Sequence, residues 1–415
     1  MRNYAGQPVG PRLYMSRPRI AVVSPFIDKR HGTERRVAEC VQRLADEYEI
    51  HVYSNRVEDV DLDRITWHRI PALPGPHLFA YLWWFLANHL WRWRDRRFCG
   101  LAPEVVYSPG INCLDAGLIS VHVVFARLRE SLANEIRLSR NPVKTWPQII
   151  HRRIYYRLIQ FLERRVYPRP YTHLAAVSRK VASDLGHYYG RSDQARVVYG
   201  GFDLSRFNPE RRASLRPAAR ATFSFDEDKF VLLLIGNGWK NKGLPTLLES
   251  AGTLRDPRLT VLVAGRDNPA SYQAAIEHHH LDGRVLFLPP RADVEFFYAA
   301  ADAYVGPSLE DAFAQPPAEA MASGLPVITS RKNGGAEIIS HGADGLILED
   351  PGDVRTLAEW IRRLLEDAEF RSSLGANAAR TAARFTWENN ATQMKVLFEQ
   401  ARLGNRKQCA EDRTP

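Results

Sequence analysis

Between Ala303 and Thr329 the chain passes through an apolar run of strand composition (Ala303-Tyr304-Val305) and a polar loop. A helical stretch follows, opened by Pro316-Pro317 and stopped by Gly324, then a second apolar run, Leu325-Pro326-Val327-Ile328-Thr329. Proline suits a helix's first turn, where its missing N–H is not needed, and glycine suits the C-terminal stop. A strand regained only after a helical crossover pairs parallel to its predecessor. In open parallel sheets the ligand crevice lies beyond the carboxyl ends of the strands, so Asp311 and Glu319 stand at its mouth. The N–H groups around Phe313 to Ala318 are expected to include unpaired helix-start donors for hydroxyl oxygens or an anionic phosphate.

The same alternation fills the chain. A buried strand at Arg19 to Ser24 leads through a loop with Gly32 to a helix over Thr33 to Glu47 and a strand at Glu49 to Tyr53. Further strands are expected at 104–107, 118–124, 172–177 and 196–199. A second series follows at 230–235, 259–264, 284–288, 303–305, 327–329 and 345–348. Pro209, Pro217 and many charges break the pattern between Gly200 and Asp228, which places a boundary near Asn208. At 415 residues the chain exceeds what one core usually serves. The expected architecture is α/β, with two doubly wound Rossmann-like domains facing a central cleft. Helices are expected at 353–366, 368–384 and 387–402, the last with room to cross back onto the first domain. The expected division is an extension at 1–18, domains at 19–207 and 208–385, a crossover helix at 386–402 and a frayed, flexible tail at 403–415.

No apolar run is long enough to span a bilayer. Leu78 to Trp91, the most apolar piece, is short, holds Asn88 and His89, and is expected to bury against the sheet. The N-terminus has no apolar signal core. Cys40, Cys99, Cys113 and Cys409 are scattered, so neither a disulfide framework nor a zinc site is indicated, and a reducing cytoplasm fits. Residues 1–200 hold 31 Lys and Arg against 18 Asp and Glu, more than the whole chain's net excess of +10. A basic first half implies an anionic surface or acceptor. Trp146 to Tyr167 mixes aromatic and aliphatic residues with Arg152, Arg153, Arg157, Arg164 and Arg165, the composition of an interfacial helix. It is read as a contact with an anionic cytoplasmic leaflet, with a core helix bearing a charged outer face as the alternative. Leu78 to Trp91, followed by Arg92-Trp93-Arg94, is a second candidate.

The segment Asp311 to Val327, the run Gly236-Asn237-Gly238-Trp239-Lys240-Asn241-Lys242-Gly243, the His31-Gly32-Thr33-Glu34-Arg35 loop, Val177-Ser178 and the Phe202-Asp203 to Phe207-Asn208-Pro209 linker occur in an order that resembles glycosyltransferase family 4. The resemblance covers about residues 19 to 400. It implies a retaining, metal-independent enzyme of the GT-B fold without cofactor. The sequence around Asp311, Glu319 to Pro326 and Asn333 to Glu337 is similar to the branch containing the lipopolysaccharide-core glucosyltransferases. Three departures stand out: Asp311 replaces the first Glu of the family's Glu, seven residues, Glu pattern; Asn237 stands where an Arg is usual; His31 replaces the first of two glycines.

The resemblance assigns roles. Lys242, with Lys240 as a possible substitute for the missing Arg, would meet the donor diphosphate, with Gly236 and Gly32 letting backbone approach. Glu319 would bind ribose hydroxyls, Asp311 the hydroxyls of the transferred sugar, and Ala312, Phe313, Ala314 and Gln315 would belong to the donor-binding set. His122, Asp311 and Lys242 form the catalytic set. Gly334 and Gly335, beside Asn333 and Glu337, would approach the diphosphate or base. Glu34 and Arg35 are equally well read as helix-start residues, and Glu310 as solvent-facing. The implied reaction moves a hexose, glucose or a close relative, from a UDP-sugar to a lipid-linked or cell-surface glycan. A nucleotide-sugar epimerase or phosphorylase on the same fold, or an inactive basic membrane- or nucleic-acid-binding module, is the open alternative, although no nucleic-acid partner is expected. An NAD enzyme is disfavoured, because no GxGxxG opens either domain.

Overall fold

Two runs of short, Val-, Ile- and Leu-rich segments, each followed by a helix or a long loop, build two parallel sheets. The computed structural model describes residues 17–133, 143–191 and 193–411. In the first domain the strands are β1 (Arg19–Val23), β2 (Phe26–Ile27), β3 (Glu49–Ser54), β4 (Arg56–Val57), β5 (Thr66–Arg69), β6 (Val105–Pro109), β7 (Leu118–Val121), β8 (His173–Ala176) and β9 (Ala195–Val197). Seven of them form one sheet in the order β5-β3-β1-β6-β7-β8-β9. The interleaved helices are α1 (Gly32–Leu44), α2 (His77–Cys99), α3 (Phe125–Ser131), α4 (Trp146–Val166) and α5 (Arg179–Tyr189).

The second domain opens with α6 (Pro209–Thr222), N-capped by the Asn208 side chain on Arg211 N. The sequence suggests a break here, yet Pro209 occupies the tolerated first turn, and Arg216 and Arg220 tie the helix to Asp302. Strands β10 (Phe230–Ile235), β11 (Leu259–Ala264), β12 (Val285–Leu288), β13 (Ala303–Gly306), β14 (Val327–Ser330) and β15 (Leu346–Leu348) pair in the order β12-β11-β10-β13-β14-β15. Helices α7 (Leu244–Leu254), α8 (Gln273–His278), α9 (Glu295–Ala300), α10 (Gln315–Ala322), α11 (Val354–Glu366) and α12 (Ala368–Ala382) complete it. Every pairing in both sheets is parallel, for example Phe230 with Leu259 through Ile235 with Ala264. Each order reverses once, between β1 and β6 and between β10 and β13, which defines two switch points.

The last helix, α13 (Trp387–Glu411), crosses back to the first domain. Ala391, Met394, Leu397, Phe398 and Ala401 share one helical face and join the cluster containing Ile20, Val22 and Tyr107. Arg43 bonds Glu388 at 2.8 Å. The helix runs nine residues past the expected end at 402, so the expected flexible tail is helical through Glu411. Residues 412–415 and residues 1–16 of the expected extension lie outside the described residues. The two chain crossings lie side by side, Phe202 N donating to Phe385 O at 2.9 Å.

Candidate active site

Lys242 follows β10 and Asp311 follows β13, so the second domain's switch point brings them together, and they form an ion pair. Gly236, directly after β10, adopts φ +137°, a conformation open essentially to glycine. Asp311 Oδ1 accepts from Phe313 N at 3.2 Å, and Asn333 Oδ1 from Ala314 N at 3.1 Å. With Pro316 and Pro317 lacking N–H groups, the start of α10 offers fewer free donors than the sequence suggests. Glu319 is buried, accepting from Tyr298 Oη at 2.8 Å and, across the cleft, from Arg35 Nη1 at 3.0 Å. Arg35 is thus more than a helix-start residue. Burial, then the Glu319 carboxylate, pushes the Tyr298 hydroxyl well above the usual phenol range, so it stays a donor.

The first domain supplies the opposite wall. Buried Asp28 accepts from the backbone N–H groups of Arg30 (2.8 Å) and His31 (3.0 Å) and contacts His31 Nδ1 at 3.0 Å. Burial alone would raise its pKa, but these partners outweigh it and hold the carboxyl below the usual range. Asp28 therefore fixes the loop carrying Gly32, a part the sequence reading missed; an Asp three residues before a histidine and four before a glycine was the only signal. Arg36, buried one residue after Arg35, lies over the Phe313 ring at 5.0 Å, and desolvation lowers its pKa to about 10. His122 follows β7, half-buried, 3.2 Å from Ser120 Oγ. Desolvation and Arg36 push its pKa down to about 3, so it is neutral at physiological pH.

Between the walls lies a cavity of about 310 Å³, lined by Gly32, Arg36, His122 and Arg127 on one side and by Asp311, Ala312, Phe313 and Gln315 on the other. Such a volume suits a small molecule. Both ends of the Gln315 amide are buried without a hydrogen-bond partner among the described residues. An unpaired buried polar group costs about 1–3 kcal/mol, so the cavity favours a polar occupant. No group of three or more His, Cys, Asp or Glu among the described residues is placed to hold a metal ion.

Two family profiles divide the chain between them: "Glycosyltransferase Family 4" matches residues 30–206 and "Glycosyl transferases group 1" residues 216–381. The chain belongs to the family 4 glycosyltransferases. This glycosyltransferase is 31% identical over 241 residues to a D-inositol 3-phosphate glycosyltransferase of Corynebacterium efficiens, covering 55% of this chain and 56% of that protein. A protein of the same name from Nocardioides sp. is 32% identical over 235 residues, covering 52% and 50%. The match thus spans about half the length of these curated relatives. The fold is that of WaaG, a glycosyltransferase involved in lipopolysaccharide biosynthesis (TM-score 0.73, 19% identity, 90% of this chain and 98% of that one). It is also that of Anabaena Alr3699/HepE, solved with UDP-glucose (TM-score 0.68, 18% identity, 92% and 99%). These likenesses establish GT-B architecture.

Several residues of the glycosyltransferase sit differently from expectation. Lys240 is exposed and Lys242 is partly buried in its ion pair with Asp311; neither lysine is among the cavity-lining residues, although Asp311 is. Glu310 is not solvent-facing: it pairs with Lys180 of the first domain and lines the cavity. Gly334 N donates to Asp311 O at 3.0 Å and Gly335 N to Asn333 Oδ1 at 2.9 Å, so both amides are engaged within the protein. A Cβ at Gly334 would lie 1.9 Å from Ala312 O and 2.7 Å from Ser178 Oγ, so close packing requires this glycine. Glu337 accepts from Arg179 N (2.6 Å) and Lys180 N (2.7 Å), capping α5 of the opposite domain.

Proposed function

We propose that the enzyme transfers a hexose, glucose or a close relative, from a UDP-sugar to a lipid-linked or cell-surface glycan acceptor, with retention at the anomeric carbon and without a metal ion. The observation that carries this reading is the convergence of Lys242 and Asp311 at the switch point of the second sheet, where Asp311 lines the cavity and the helix that follows carries buried Glu319. Lys242 would neutralise the departing diphosphate, Asp311 and Gln315 would position the sugar, and Glu319 would take the ribose hydroxyls. Neutral His122 would line the acceptor side as a hydrogen-bonding group. Attack from the face the diphosphate leaves, with the leaving phosphate receiving the acceptor proton, accounts for retention without a carboxylate nucleophile.

The location in this reading is the cytoplasm, at the inner face of the membrane, with residues 146–167 as the contact. A phosphorylated small polyol is a second acceptor to try: the sequence relatives are named for one, and Arg36, Arg127 and Lys180 line the cavity. Calorimetric titration with UDP-glucose, followed by a transfer assay, tests the donor. Glu319→Ala and Lys242→Ala are expected to weaken nucleotide binding about tenfold or more. Equal affinity in both variants and the parent would refute the site.

A further inference from the structure

Sequence reasoning expects Leu78 to Trp91 to bury against the sheet. The structure divides the faces of α2 otherwise. Trp84, Ala87, Asn88, Arg92 and Asp95 turn inward. Phe79, Leu82, Leu86, Leu90 and Trp93 are exposed, Leu86 at 67% and Trp93 at 58%. Their spacing of three, four, four and three residues sets them on one helical face, a stripe about 21 Å long. No charged residue occurs from His77 to Trp91, while Arg96 and Arg97 stand exposed at its end. A stripe of this length is more than the scattered surface apolar residues of an ordinary face.

A second stripe lies on the neighbouring helix. Ile150, Ile154 and Phe161 of α4 are exposed, with Arg152, Arg157, Arg164 and Arg165 exposed around them. The two helices touch: Tyr81 meets Tyr155 edge-on at 5.5 Å, and Leu78 N donates to His151 Nε2 at 3.3 Å. Tyr155 also packs on Phe125, the first residue of α3, whose Arg127 and Leu128 line the cavity. No helix among the described residues is long and apolar enough to cross a membrane.

We infer that α2 and α4 together form a surface that lies in the interfacial layer of an anionic bilayer, with the α2 stripe as its main apolar insertion and the arginines at the headgroups. Charge selects this occupant: residues 1–200 carry the whole positive excess, and the exposed arginines frame both stripes. Through α3 the cleft then opens beside the lipid, where a lipid-linked acceptor would arrive. The inference shares the α4 contact with the proposed function, but its test does not depend on donor chemistry.

The test is flotation of the full chain with vesicles of phosphatidylcholine, with and without phosphatidylglycerol. The parent is expected to float with the anionic vesicles, and Leu86→Glu/Leu90→Glu to lower its partition about tenfold or more. Ile154→Glu should lower it by a smaller factor. Unchanged melting curves and unchanged UDP-glucose titration would show that these surface changes leave fold and donor site intact. Equal partition of parent and double variant would overturn the inference. So would light scattering in which the parent is a dimer that the double variant splits, with vesicle binding unaltered, because the stripe would then join two copies of the chain. Loss of vesicle binding with donor titration intact supports this inference even if no transfer is found, so the two readings fail separately.

Discussion

Replacing Glu163 with Gln should make the enzyme less sensitive to alkaline pH. Glu163, on α4, is fully buried; its Oε1 accepts from Phe125 N at 2.9 Å and its Oε2 from Tyr189 Oη at 2.7 Å. Desolvation pushes its pKa from 4.5 up to about 7, the hydrogen bonds opposing without cancelling. At about 1.4 kcal/mol per pH unit this amounts to roughly 3 kcal/mol. The folded state holds the proton more tightly than the unfolded chain. The contribution is therefore fully present below the unfolded pKa and is lost as pH rises through about 7. Gln cannot ionise, yet it can accept from Phe125 N and donate to the Tyr189 oxygen. Between pH 5 and 8 the variant should gain roughly 2–3 kcal/mol on the parent, a relative Tm rise of roughly 4–12 °C for a domain of this size. Paired melts of both proteins across that range measure it, since titrations common to both cancel in the difference. A difference that stays flat would mean that Glu163 is not held protonated in the folded protein.

Gly334→Ala should lower stability by about 1–3 kcal/mol, because its Cβ would lie 1.9 Å from Ala312 O. Gly32→Ala meets nothing within 4 Å, so its melting curve should match the parent while nucleotide affinity falls. Thermal melts and UDP titration check the pair, and the opposite ranking in stability would refute the packing assigned to Gly334. His122, with a pKa near 3, should contribute no limb to the pH dependence of kcat/KM between pH 5 and 9. An acidic limb present in the parent and absent from His122→Asn would show that His122 titrates in the working range.

The strands were legible because parallel, doubly covered strands read as unbroken apolar runs, as in Phe230 to Ile235 and Leu259 to Ala264. The edge strand Thr66–Arg69 was not: Thr66 and Arg69 are exposed, Trp67 and His68 only partly covered, and the segment lacks an apolar run. Nor was the helix Pro209–Thr222, whose prolines and charges read as a break; its stability comes from Arg216 and Arg220 reaching Asp302, contacts made across more than 80 positions. The same limit applies at the cleft. Local spacing placed Lys242 and Asp311 in loops that follow strands and Glu319 on the next helix, but nothing local to Arg35 reveals a partner 284 positions away. On α2, composition alone could not show which residues face the core, because the inward face mixes Trp84 and Ala87 with Asn88, Arg92 and Asp95 while the exposed face is the apolar one.

The pairing around the cleft also constrains how any ligand enters. Glu319, Glu310 and Glu337 all belong to the second domain, and all find partners in the first: Arg35, Lys180, and the N–H groups of Arg179 and Lys180. In the proposed reading, a sugar nucleotide whose ribose takes the Glu319 oxygen now held by Arg35 displaces that guanidinium, and its affinity then reports the difference between two sets of hydrogen bonds rather than the strength of the new set alone. Because the displaced partner sits on the opposite domain, that exchange alters the balance of forces holding the domains together. Lys242 and Asp311 are both on the second domain, so their ion pair can open without moving either sheet. In the proposed reading, nucleoside binding at Glu319 would thereby be coupled to domain position, while sugar and diphosphate contacts at Asp311 and Lys242 would be local.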